Sequence, residues 1–416
     1  MKHAIQLLAG LLFLCSLLSC SGSGIPPQTW TIMVYLDGDN NLSEAALADL
    51  DELKNATASP YVTIIVQLDL PGGVTTKRFL INNHQLEQIA DLGELDMSAE
   101  TTITDFLTWG ASAYPSERTV LLLWDHGNGW DQGASVSAAK TTSKTVSSMF
   151  TDTDNNGASA KFLANYRIRN AIKASGIRLD VLAFDGCSMG TLEALYEFRG
   201  LADILISSEE LTSVTGWDYK GLVSGLAAQP EMPVEDFGRL AVSSYRNFYE
   251  NVYYPFTGAE RSNTISALRS NVLQEIAEGV NALAVGLEQR LDDQLTRGDT
   301  VSLLAQARLN VQEIDKYAEA FVYVDLLDLA KRLDPGSTLL ASITKAVIDE
   351  YHGSARPGAN GIAIVFFRLP DAKTYNTFDA NYANFNPAIQ SGNKGEFIMS
   401  YRWDELLAKY YLYAGL

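Results

Sequence analysis

Two short stretches of the chain hold the residue types needed to break an acyl bond. One is Trp124-Asp125-His126-Gly127-Asn128-Gly129-Trp130, the other Phe184-Asp185-Gly186-Cys187-Ser188-Met189-Gly190. Each directly follows an apolar run, Thr119 to Trp124 and Arg178 to Phe184. A thiol with an ordinary pKa of about 8.5 is mostly protonated at neutral pH. An imidazole beside it, or the N-terminus of the helix expected after Cys187, would draw that proton away. The thiolate can then attack a carbonyl, and His126 can later protonate the leaving amine. Glycines flank both residues, so the backbone amides of Gly127 and Cys187 can approach a substrate oxygen and form an oxyanion hole.

The competing reading of Cys187 is a small buried hydrophobe, the usual fate of a free cysteine. Asp185-Gly186 before it and Ser188 after it make apolar burial unnatural. The chain has three cysteines, Cys15, Cys20 and Cys187, and the first two lie in an export signal. Cys187 is then the one thiol left, with no partner for an intramolecular disulfide. Of the four histidines, His3 lies in the same signal, and His84 and His352 sit in polar stretches without a strand before them. Asp125 adjoins His126, but adjacent side chains at a strand end rarely point the same way; it reads as a residue that holds the loop.

The elements that must position these residues are legible as apolar runs. Thr31–Leu36, Tyr61–Leu70, Thr119–Trp124, Arg178–Phe184, Ala202–Ser207 and Gly361–Phe366 read as strands. They are nearly continuous in apolar residues, the pattern of parallel strands buried on both faces. Helical spacing over 42–53, 98–113, 166–174 and 191–198 separates most of them. Alternation of strand and helix predicts an α/β fold, with a mainly parallel sheet between helices. Right-handed crossovers place every strand's carboxyl end on one edge, where such sheets bind ligands. Residues 220–350 read as largely helical, with one stripe over 272–287 and another over Tyr323–Leu333. A terminating helix is expected over 403–411, and 131–160, rich in Ser, Thr, Ala and Gly, reads as an exposed loop or loose hairpin.

Composition narrows the function classes. Hydrophobic residues make up 47% of the 416 positions, enough for a large buried core. Asp and Glu number 50 against 31 Lys and Arg, a balance that repels nucleic acid and suits basic peptide partners. Met1-Lys2 followed by an apolar run from Ala4 to Leu18 reads as a signal peptide over 1–19. Leu17-Leu18-Ser19-Cys20 then resembles a bacterial lipoprotein cleavage site, with Cys20 as the lipidated residue. Residues 20–28 form a tether, and the expected location is the cell envelope, held by lipid alone. Ser21 fits sorting to the outer membrane in a diderm bacterium.

The arrangement strand–Asp-His-Gly followed by strand–Asp-Gly-Cys resembles the clostripain family of cysteine peptidases, relatives of caspases, legumains and gingipains. The blocks W-T-I-M-V-Y-L-D-G-D-N-N-L near the start, S-E-E-L-T-S-V-T-G-W-D-Y at 208–219 and Y-V-D-L-L-D-L-A at 323–330 extend the resemblance over roughly residues 30 to 410. It implies a caspase-like sheet sandwiched by helices, with a catalytic core over 29–219, the largely helical region over 220–350, and a final core strand and tail over 351–416. It also implies a dyad of His126 and Cys187 cutting after Arg or Lys, with Asp185 facing the pocket for the basic side chain. Glu209 and Glu210 add negative field there or are solvated loop charges. Maturation would cut the loop between His and Cys, where Lys140 and Lys144 lie. The dyad needs no cofactor. Some members of the family respond to calcium, and Asp152-x-Asp154-x-Asn156-Gly157 resembles half of a calcium loop, though Leu163 stands where an EF-hand needs Glu; an Asx-rich turn is the better reading, and a metal site stays open. A different class of function, a surface-binding lipoprotein with a silent site on the same fold, remains the alternative.

Overall fold

A computed structural model of the chain describes residues 29–130, 149–152, 161–317, 320–368 and 395–415. Residues 1–28, read as an export signal and tether, most of 131–160 and residues 369–394 lie outside them.

The strands are β1 (Trp30–Asp37), β2 (Val62–Leu70), β3 (Val74–Asn82), β4 (Gln85–Asp91), β5 (Arg118–Trp124), β6 (Met149–Asp152), β7 (Lys161–Leu163), β8 (Leu179–Asp185), β9 (Ala202–Ser207), β10 (Thr264–Arg269), β11 (Glu313–Tyr317), β12 (Ala320–Asp325), β13 (Val347–His352) and β14 (Ala363–Val365). Nine of them form one sheet in the order β13-β10-β9-β8-β5-β1-β2-β3-β4. The five central strands, β9 to β2 in that order, run parallel, as the apolar runs predict. Every residue of β1 and of β8 is buried.

Helices cover both faces. The helices α1 (Ser43–Lys54), α5 (Tyr219–Ala228) and α6 (Val234–Phe248) pack on one side, where Ile32, Val34 and Leu36 of β1 meet Leu50, Leu222 and Phe237. On the other, Met33 and Tyr35 meet Phe106 of α2 (Glu100–Ala113) and a core that includes Ile168 of α3 (Asn165–Ser175) and Leu195 of α4 (Leu192–Glu197). The period-2 alternation of a strand thus feeds two separate cores. Burial of each such aliphatic side chain is worth about 1.5–3 kcal/mol.

The region 220–350 is largely helical, but it also supplies strands: β10 extends the main sheet antiparallel to β9, and β13 pairs antiparallel with β10. Two expectations need correction. The stripe Tyr323–Leu333 is not one helix: its first three residues close β12, and a helix runs from Leu326 to Leu333. The run Gly361–Phe366 forms only β14, which pairs with β12 in a three-stranded sheet outside the main one. In both, an apolar run shows that a segment is buried, but not which sheet it joins.

Phe106 is fully buried, with its ring 5.8 Å from that of Tyr35. Phe106→Ala should lower the unfolding free energy by about 3–5 kcal/mol. Urea denaturation checks this; an unmoved midpoint would show that α2 does not bear on the sheet in solution.

Candidate active site

The chain order places the site. From β1 the connection through α1 leads to β2 on one flank, whereas β5 lies on the other flank of β1, followed by β8 and β9. The strand order therefore reverses about β1, and the carboxyl ends of β1, β5 and β8 lie side by side at the switch point. Register aligns them: Leu36 pairs with Trp124, and Trp124 with Asp185. His126 and Cys187 each stand two residues beyond that row, on adjacent loops.

The two loops touch through their backbones. A Cβ on Gly127 would lie 2.3 Å from the carbonyl oxygen of Cys187 and 2.6 Å from its nitrogen. Only glycine allows that approach. The Asp125 amide also donates to the Asp185 carbonyl at 3.3 Å, continuing the ladder one step past the strands. Both reactive side chains are half-buried. The structure thus brings the backbones of His126, Gly127, Asp185 and Cys187 together.

The sulfur has a partner that the sequence did not announce. The Thr212 amide lies 3.3 Å from Cys187 Sγ, and the Thr212 carbonyl lies 3.8 Å from it. An N–H aimed at sulfur favours the thiolate. The helix invoked for that role begins only at Leu192, beyond a turn, so the Thr212 amide stands where the helix N-terminus was expected. The turn is held from outside. Ser188, at φ 59, donates its amide to the Glu210 carbonyl at 3.1 Å, and Gly190 donates to the Ser208 carbonyl at 2.7 Å.

Glu209 and Glu210 are not solvated loop charges; both are buried. Glu210 is paired with Arg356. Glu209 accepts from the Gly361 amide at 2.8 Å and shares a hydrogen bond with Asp325, and burial raises both carboxyl pKa values, that of Asp325 to about 7. One proton between the two carboxyls satisfies both. These partners lie more than a hundred residues along the chain, and sequence offers no sign of them.

The histidine loop is braced in the same manner. Tyr323 Oη donates to the Asn128 carbonyl at 3.1 Å, and Asn165 Nδ2 to the Gly129 carbonyl at 2.8 Å. Asp125, read as a loop holder, accepts from Asn40 Nδ2 at 2.9 Å. Asn41 Oδ1 lies 3.1 Å from His126 Nε2. The Asp-Gly-Asp-Asn-Asn block after β1, legible only as a turn, therefore serves the site.

Asp185 is 4% exposed. Its Oδ2 accepts from Tyr219 Oη at 2.7 Å and from the Trp217 amide at 3.2 Å. Asp49 of α1 lies near it, and both Oδ2 atoms come within 2.9 Å of the position a Cβ on Gly216 would take. Asp49 accepts from Trp124 Nε1 at 2.7 Å. Burial, and then the charge of Asp185, push the Asp49 pKa to about 9. Burial pushes that of Asp185 to about 7, although Tyr219 and Trp217 pull it down.

Lys140, Lys144 and Cys20 lie outside the described residues, as do Asp154, Asn156 and Gly157. Among the described residues, carboxylate atoms of Asp39, Asp69 and Glu94 lie within 4.8 Å of one another, the one place where three acidic groups stand close enough to share a cation. No described helix is long and apolar enough to cross a membrane.

The sequence model of the clostripain family matches residues 34–399. The chain belongs to the clostripain family. Clostripain of Hathewaya histolytica is 24% identical over 231 residues, a match spanning 48% of this chain and 43% of that relative, less than half its length. A secreted C11 cysteine protease of Bacteroides thetaiotaomicron, solved with an irreversible peptide inhibitor, superposes with a TM-score of 0.63 at 18% identity, over 85% of this chain and 96% of that one. An inactive zymogen C11 protease of Parabacteroides distasonis gives 0.62 at 20% identity, with the same coverage. These two likenesses establish the caspase-like fold, and the family is one of cysteine peptidases.

The proton on Asp49 has a consequence for stability. Its carboxyl ionises near 3.8 in the unfolded chain and near 9 in the fold. Between those values the native state binds the extra proton, so stability falls as pH rises. Asn cannot ionise, so Asp49→Asn should gain in melting temperature relative to the parent as pH goes from 5 to 9. Thermal scans at both pH values test this; a constant difference would mean that Asp49 is ionised in the fold. A second expectation concerns Gly127→Ala. It should keep a parent-like circular dichroism spectrum yet alkylate at Cys187 at least about 10-fold more slowly, because the loops must part. A parent-like alkylation rate would overturn the close approach.

Proposed function

We propose that the chain is an endopeptidase that hydrolyses the bond after Arg or Lys with Cys187 as nucleophile and His126 as acid and base. The observation that carries this reading is the meeting of the two loops, with the Gly127 backbone against Cys187 and each reactive residue two places past one aligned row.

The chemistry balances without a cofactor. The Cys187 thiol gives its proton to His126, and the thiolate adds to the scissile carbonyl carbon. The oxygen takes the electron pair and negative charge, within reach of the amides of Gly127 and Cys187. Collapse of that intermediate breaks the C–N bond, and His126 returns the proton to the leaving nitrogen. Water then adds to the thioester, giving one proton to His126. Loss of the thiolate releases the acid, and the dyad is restored.

Selectivity for a basic residue rests on Asp185. The carboxyls of Asp185 and Asp49 flank Gly216 in low-dielectric surroundings that hold protons on them. A guanidinium or ammonium beside them would let those protons leave and would pair with the charge. Arg-selective and Lys-selective cleavage is what such a site favours. The net charge of −19 concentrates basic peptides near the surface. Maturation is assigned to a cut within 131–160, at Lys140 or Lys144, and the anchor to lipid on Cys20, which would hold the enzyme on the outer face of a bacterial envelope. The family's calcium response, if shared, falls to the trio Asp39, Asp69 and Glu94, whose all-oxygen character suits a hard cation.

Fluorogenic peptides ending in Arg, Lys, Asp or Leu test the reading. Release after Arg and Lys, abolished in Cys187→Ala and cut at least about 100-fold in kcat/KM by Asp185→Asn, is expected. Equal cleavage after Leu would remove the basic pocket. Activity that survives Cys187→Ala would remove the dyad.

A further inference from the structure

Two adjacent asparagines at the end of β1 hold two adjacent residues of the histidine loop. Asn40 takes Asp125 and Asn41 takes His126. Asn40 is anchored on its own side: its Oδ1 accepts from the Leu42 amide at 2.8 Å, and its amide donates to the Gly38 carbonyl at 2.8 Å. Gly38 lies so close to Ala46 and the Asp69 carbonyl that a Cβ there would sit 2.8 and 3.1 Å from them. The turn is therefore rigid where Asn41 leaves it. Asn41 itself is exposed, so its side chain fills no core, and its contact with the ring calls for a reason other than packing.

An amide oxygen only accepts hydrogen bonds. The ring nitrogen that faces it must carry a proton, so the contact makes Nε2 the N–H atom. In the neutral ring Nδ1 is then left as the acceptor. We propose that Asn41 is a positioning residue that fixes the tautomer of His126, so that Nδ1 takes the Cys187 proton and the imidazolium so formed is held by Asn41. This rests on the dyad reading above. In the step, the S–H bond breaks, sulfur keeps the electron pair, and the proton binds Nδ1 while Nε2–H stays on Asn41 Oδ1.

The titratable groups where the three strand ends meet are Asp37 closing β1 and Asp39 after it, Asp125 before His126, and Asp185 closing β8 with Cys187 beyond it. Variants at position 41 leave all of them in place, so a shift in pH response reports on that position.

The experiment uses the full-length chain and its Asn41→Ala and Asn41→Asp variants. Alkylation by iodoacetamide is followed by mass spectrometry of the peptide that contains Cys187, from pH 4 to 10, and needs no peptidase activity. Asp at position 41 sets a carboxylate against Nε2–H and favours the imidazolium. The inflection for thiolate formation should move down by roughly 0.5–1 unit in Asn41→Asp and up in Asn41→Ala. On Arg and Lys peptides, Asn41→Ala should lose about 10- to 100-fold in kcat with KM changed less than about 3-fold, and Asn41→Asp should recover part of it. Melting temperatures should stay at the parent value in both variants. Identical inflections in all three proteins would overturn the proposal, as would a loss of kcat in Asn41→Ala matched by a lower melting temperature without a pH shift. Shifted inflections in a chain that cleaves no peptide would uphold the role of Asn41 and overturn the peptidase reading instead.

Discussion

The site depends on one close approach, that of the Gly127 backbone to the Cys187 backbone. Parallel pairing of β5 with β8 creates it, because the aligned row from Trp124 to Asp185 delivers both loops at the same height above the sheet. The absence of a side chain at Gly127 completes it. No helix or long side chain is needed to bring the loop of His126 to that of Cys187. Backbone geometry does so, and backbone hydrogen bonds are among the least adjustable contacts in a protein. The remaining contacts of the site stop the loops from moving: Thr212 on the sulfur, Glu210 and Ser208 on the turn after it, Tyr323 and Asn165 on the histidine side.

Much of this was legible in the sequence, for a definable reason. The central strands are buried on both faces and so appear as unbroken apolar runs, and the reactive residues stand directly after two of them. Position relative to a strand end is a local property. The outer strands escaped notice because they lack that signature. β4 is exposed along most of its length, and β3 mixes Thr, Lys and Arg with its apolar residues. β10 and β12 are short and were absorbed into stretches read as helical.

The supports of the site were not legible at all, because they are contacts between distant parts of the chain. Glu210 looks like a surface charge until Arg356 is placed beside it. Asn41 looks like a turn residue until β5 brings His126 to it across 85 positions. Asp185 was singled out, whereas Asp49 was seen only as part of a helix; nothing in its neighbourhood along the chain marks it as facing another carboxyl. Residue type and spacing thus locate the chemistry, and tertiary structure decides the protonation state in which each group waits.

The order of elements along the chain has a consequence for synthesis. Domains emerge from the ribosome N-terminus first. The strands that carry His126 and Cys187 are complete by residue 185, but Tyr323, Asp325 and Arg356, which brace the two loops, emerge much later. A nascent chain that stops short of β12 holds both reactive residues without the packing that fixes their loops. Placing the braces downstream postpones a fully fixed site until nearly the whole chain has left the ribosome, and so separates the synthesis of the Cys187 loop from its fixing in place.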